Sequence, residues 1–127
     1  MPATIVTETD HTVSFLDHRP IFPGHTLVIP REHIVTLRDL PDELVAPFFG
    51  EVRRLAAAVQ DGMGAQGTFV AENNVVSQSV AHLHVHVVPR RRKDGLRGFF
   101  WPRTTYAVDA EMEAAAVAIR AALPDAQ

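Results

Sequence analysis

The chain has 127 residues, 46% of them hydrophobic, which suits one compact domain with a real core and excludes a disordered chain. Its 12 Lys and Arg against 15 Asp and Glu give a formal charge of −3, so nothing suggests nucleic-acid binding by bulk electrostatics. Cysteine is absent, which excludes disulfides and thiolate metal sites; no leader-like start and no bilayer-length apolar run is visible, so the expectation is a soluble cytoplasmic protein.

Thr4–Thr7 and Thr12–Leu16 are rich in β-branched and aromatic residues, and the polar stretch between them predicts a hairpin. Asp17-His18-Arg19-Pro20 and Pro23-Gly24 interrupt any regular element, after which His25–Pro30 reads as a strand that the proline ends. From Pro41 to about Val59 the period changes. Leu44, Phe48, Val52, Leu55 and Val59 recur at helical spacing, Pro41 suits the first helical position, and Asp42 and Glu43 complement the helix dipole. Gly62 and Gly64 are expected to close that helix. Two further strands are expected, Gly67–Glu72 and Val80–Val88, with Pro89 stopping the second and a basic turn, Arg90–Gly95, following it. A final alanine-rich helix is expected over about Asp109–Leu123. Strands grouped around one long helix indicate an α+β fold with an antiparallel sheet of about five strands, one long helix and a C-terminal helix, over a single domain spanning 1–127.

The stretch Ser77-Gln78-Ser79-Val80-Ala81-His82-Leu83-His84-Val85-His86-Val87-Val88-Pro89 carries the chemistry. Alternate side chains of a strand share a face, so His82, His84 and His86 project together while Leu83, Val85 and Val87 turn to the core. Three imidazoles on one face are poor packing material, because each brings a donor and an acceptor to satisfy. Imidazole is a good nucleophile when neutral, and with an ordinary pKa of about 6.5 it is largely neutral at physiological pH. Attack on an α-phosphate would give a phosphoramidate that water can cleave, dividing one hard displacement into two easier ones. Gln78, Ser79 and nearby amides lie where donors to the phosphate are needed.

His82-Leu83-His84-Val85-His86-Val87-Val88 matches, position by position, the signature of the histidine-triad (HIT) family, which this sequence closely resembles. A second block, Phe15-Leu16-Asp17-His18-Arg19-Pro20 with Pro23-Gly24-His25-Thr26-Leu27-Val28-Ile29-Pro30, resembles the same family's upstream nucleotide-contacting strands. Glu111–Ala116 is similar, more weakly, to its fragile-histidine-triad branch. The resemblance implies a HIT-like fold, a homodimer, and a hydrolase or nucleotidyl transferase acting at the α-phosphate of a dinucleoside polyphosphate or nucleoside phosphoramidate. It makes His84 the nucleophile, has His86 contact the phosphate and assist the leaving group, has His82 orient the nucleophile, and places His25 behind the triad. It implies substrate contacts at Gln78 and Ser79 with the phosphate, at Asp17 with the ribose, and at Phe15 and Leu27 with the base. No cofactor is implied, beyond magnesium carried by a polyphosphate substrate. Two positions depart from the family pattern: Ser77, a residue that tolerates positive φ poorly, replaces the usual glycine. Ala71 replaces an amide residue, whose phosphate contact Asn73 or Asn74 is then expected to take.

Two other chemistries fit the same residues: a zinc hydrolase with His82, His84 and His86 as ligands and His25 completing the set, or a nucleotide binder with little catalysis. Arg90–Lys93 suits either a distal phosphate or a solvated basic turn, and Phe99–Trp101 either core packing or a base-stacking or subunit contact. His11, His18 and His33 have no distinguishing spacing and are expected at the surface.

Overall fold

A computed structural model describes residues 3–97 and 102–124. It falls into two compact units, residues 1–94 and 95–127. The first unit contains β1 (Ile5–Glu8), β2 (Thr12–Leu16), β3 (Thr26–Pro30), α1 (Asp42–Gly62), β4 (Gly67–Ala71) and β5 (Val85–Arg90). The second contains α2 (Asp109–Ala122), with Asp109 and Glu111 in its first turn and Arg120 in its last, as the helix dipole favours. The strands form one antiparallel sheet in the order β1-β2-β3-β5-β4, so the fold is α+β as expected.

Strand alternation divides the sheet into two faces. Val28 pairs with Val85, both are buried, and with Leu83 and Val87 they meet the apolar stripe of α1: Phe48, Val52, Leu55 and Val59. The opposite face carries a row of register partners, Ile5–Phe15–Leu27–His86–Ala71, in which each residue lies beside its neighbour across the strands. The helix thus covers one side and leaves the other for the histidines.

Several sequence expectations need adjustment beyond shifts of one residue at the ends of β1, β3, β4 and α2. The histidine strand begins at Val85 rather than Val80, and residues 79–84 approach it as bends and irregular chain. Pro89 does not stop that strand but lies inside it, opposite Thr68. The reason is local: the Arg90 carbonyl accepts the Gln66 N–H, so residue 90 points at β4 and Pro89 points the other way. There β3 has already ended, at the Thr26–Val87 pair, and no ladder bond needs the missing N–H. The long helix starts one residue later, with Pro41 as its extended N-cap, and runs on to Gly62, with Gly64 at φ 61° in the left-handed terminating position. It also tolerates Pro47 in its second turn. A 3-10 turn, Leu37–Asp39, was not expected; Thr36 and Asp39 cap it reciprocally.

Candidate active site

His25 is placed by a turn that only glycine can make. Gly24 has φ 96°, and a Cβ there would stand 2.6 Å from Cγ of Met63. The turn carries His25, 3% exposed, under the sheet, where the Ile21 N–H donates to its Nδ1 at 3.1 Å. That bond fixes the neutral ring's proton on Nε2, because an Nδ1 that accepts cannot carry one. His25 Nε2–H in turn donates to His86 Nδ1 at 2.9 Å. The His86 proton is therefore on Nε2, and the ring presents a donor.

His84 has the reverse polarity. Its Nδ1 lies 2.7 Å from the His82 carbonyl, which can only accept, so Nδ1 carries the proton and Nε2 keeps its lone pair. His82 Nε2 donates to the Pro30 carbonyl at 3.0 Å, tying the approach to β5 onto the end of β3. The His84 and His86 rings meet edge-on, centroids 5.1 Å apart. A nucleophilic nitrogen and a hydrogen-bond donor thus stand side by side.

Burial pushes the pKa of both His25 and His86 below the ordinary histidine value. The positive charges that His25 and His84 would carry lower His86 further, while the Asp17 carboxylate acts weakly in the opposite sense. Both rings are neutral near physiological pH, as the proton assignments above require.

His82, His84 and His86 line a cavity of about 930 Å³. Phe15, Asp17, Leu27 and Ser79, all expected from the sequence to touch substrate, line it too. Three other candidates stand elsewhere. His25 sits behind His86; Asn73 does not line the cavity; and Gln78 spends its side chain on the Val75 N–H and the Val35 carbonyl. Ser77 has φ 62° and Val75 φ 67°, so the loop keeps a left-handed backbone where glycine would be at ease.

Residues 1–93 match the family model described as the HIT domain. The chain belongs to the HIT domain family. Among similar HIT proteins is Protein hit of Bacillus subtilis, 37% identical over 103 residues, which are 80% of this chain and 71% of that one. Another is the adenosine 5'-monophosphoramidase hnt1 of Schizosaccharomyces pombe, 33% identical over 104 residues, 80% of this chain and 75% of its relative. Among solved structures, a HIT family member from Bacillus subtilis superposes with TM-score 0.84 at 33% identity, covering 99% of this chain and 92% of the other. A Zn-bound histidine triad family protein from Mycobacterium smegmatis gives 0.70 at 36% identity, covering 97% and 90%.

Several residues of this HIT site escaped the sequence reading. Ile29 lines the cavity, and its two-residue offset from Leu27 was the available signal. His18 also lines it, a role no spacing marks; His33 lies outside the cavity wall and packs edge-on against His82 with centroids 5.4 Å apart, and both histidines are exposed as expected. Among the described residues the zinc set expected on His82, His84 and His86 does not gather its ligand atoms into one cluster. The potential ligand atoms that do cluster, within 4.8 Å, belong to Asp17, His25 and His86. In the basic turn, Arg90 pairs with Asp94 at 2.6 Å and Arg91 donates to the Met63 carbonyl, so both serve the fold. Phe99–Trp101 lie outside the described residues, and among the described residues no helix is long and apolar enough to cross a membrane.

Proposed function

We propose that this HIT domain is a nucleotide hydrolase or nucleotidyl transferase working through a covalent nucleotidyl-His84 intermediate. The observation that carries this reading is the opposed polarity of two adjacent rings: His84 Nε2 with a lone pair, His86 Nε2 with a proton, both rings lining one cavity. In the first step the His84 Nε2 lone pair attacks the α-phosphorus. The leaving group departs with the bonding pair and takes a solvent proton, while His86 Nε2–H hydrogen-bonds the developing negative charge. In the second step water attacks the same phosphorus and loses a proton to solvent. The P–N bond returns its pair to His84, and a nucleoside monophosphate is released.

The row Phe15–Leu27–His86 supports a nucleotide as the cargo. It sets an apolar wall beside the reacting pair, suited to a planar base, with Asp17 at hand for ribose hydroxyls and Ser79 for phosphate oxygens. The S. pombe relative is a monophosphoramidase, which favours an adenosine phosphoramidate over a dinucleoside polyphosphate. The same reading takes residues 1–127 as one HIT domain acting as a cytoplasmic homodimer with no resident cofactor. Incubation with adenosine 5'-phosphoramidate and, separately, with diadenosine polyphosphates should release AMP, faster from the former. Release from neither would remove the reading.

Zinc, present in the M. smegmatis structure, is the second reading, and Asp17, His25 and His86 are the place for it. A metal on His25 Nε2 would move that ring's proton to Nδ1, against the Ile21 N–H that already points there. It would also break the His25–His86 hydrogen bond. Bound histidines ordinarily donate their other nitrogen, whereas this one accepts, so the arrangement favours the His25–His86 hydrogen bond over a metal. Turnover that requires stoichiometric zinc would reverse that preference.

A further inference from the structure

The segment between β4 and the triad carries two non-glycine residues in the left-handed region, Val75 at φ 67° and Ser77 at φ 62°. For a β-branched residue that backbone is a genuine outlier, and it persists only where surrounding bonds over-determine it. Val75 and Val76 are among the most exposed apolar side chains of the described residues, so burial does not hold them there. Hydrogen bonds do. Gln78 Oε1 accepts the Val75 N–H at 3.0 Å, and Gln78 Nε2 donates to the Val35 carbonyl at 2.5 Å. Asn74 Oδ1 adds a second tie by accepting the Leu37 N–H at 2.8 Å. The next two residues after Gln78, Ser79 and Val80, form part of the cavity wall, and His82 follows closely.

We infer that Gln78 is a positioning residue whose side-chain amide clamps the left-handed turn at Val75 to the Val35 carbonyl and so sets where Ser79 and Val80 stand at the cavity. Both ends of the amide are committed to backbone partners, so Gln78 acts on the reaction through the loop and not by touching phosphate. The inference rests on the hydrolase reading for its kinetic consequence, though not for the clamp itself.

A double-mutant cycle tests it. Glycine adopts positive φ without strain, so Val75→Gly should make the clamp largely dispensable. In the wild-type background Gln78→Ala is expected to lower kcat/KM for adenosine 5'-phosphoramidate by about tenfold or more, and in the Val75→Gly background by about twofold or less. An equal loss in both backgrounds, as direct substrate contact would give, overturns the inference, and so does no loss in the wild-type background. Amide hydrogen exchange reads the clamp without any activity: the Val75 N–H should lose protection in Gln78→Ala. Should the wild-type chain cleave no nucleotide, the hydrolase reading fails alone, and exchange still decides the clamp. Unchanged Val75 protection overturns it.

Discussion

At the scale of single residues, the pair of buried His25 and half-buried His86 links the site to stability. Both rings are held below the ordinary histidine value, first by burial. An unfolded chain takes up protons on these rings once the pH falls below about 6.5, whereas the folded chain resists until its lowered values are reached. Their contribution to stability is therefore complete above about pH 6.5, is lost as the pH falls through the folded values, and then levels off. Thermal melts between about pH 8 and about pH 5 should show this decline, and His25→Gln should flatten it. The strained loop gives a second stability effect. Left-handed backbone at a non-glycine residue costs about 1–3 kcal/mol, part of which glycine forfeits through its freer unfolded state. Val75→Gly should raise the unfolding free energy in denaturant titration by up to about 1 kcal/mol. These residues also mark how far the sequence could be read. Alternation and the family signature located His82, His84 and His86, because period-two patterning is a local property. The proton assignments were not legible, since they depend on the Ile21 N–H and the His82 carbonyl, backbone groups brought close by the fold.

At the scale of elements, two turns and one helix carry the consequences. Gly24 has both a positive φ and Met63 against it, so Gly24→Ala should destabilise by about 1–3 kcal/mol. It should also lower kcat, because the turn delivers His25 to His86. Melting and steady-state kinetics on the same preparation check both. In α1, Pro47 is exposed and removes the N–H that would bond the Glu43 carbonyl. Pro47→Ala should therefore stabilise by about 1–3 kcal/mol with no change in kcat, a pairing that denaturation and kinetics would reveal. The elements most fully legible in the sequence were β2, matched at both ends, and α1, whose apolar spacing is long and regular. The start of β5 was not legible. Residues 80–84 alternate like a strand, but β4 ends opposite His86, pairing with β3 stops at Val28–Val85, and the Leu83 N–H goes to the Ile34 carbonyl, all tertiary matters. Pro89 misled for the same reason: whether a proline ends a strand depends on which side its nitrogen faces.

At the scale of the whole molecule, one sheet separates two tasks. The α1 side is a closed apolar layer, and Phe48→Ala in it should cost about 3–5 kcal/mol of stability in denaturant titration. The other side bears the Phe15–Leu27–His86 row and the cavity, where the proposed reading lays the nucleotide with its α-phosphate against the triad. Family membership agrees with this division, and the ring polarities support the direction proposed above, in which His84 attacks and His86 donates. The most direct measurement is the mass of the intact protein after rapid quenching during turnover of adenosine 5'-phosphoramidate. The account expects one added adenylyl group, mapped to His84 by fragmentation and absent from His84→Asn, which should also lose about a thousandfold or more in kcat. Turnover that persists in His84→Asn, or an adduct on a different residue, would contradict it.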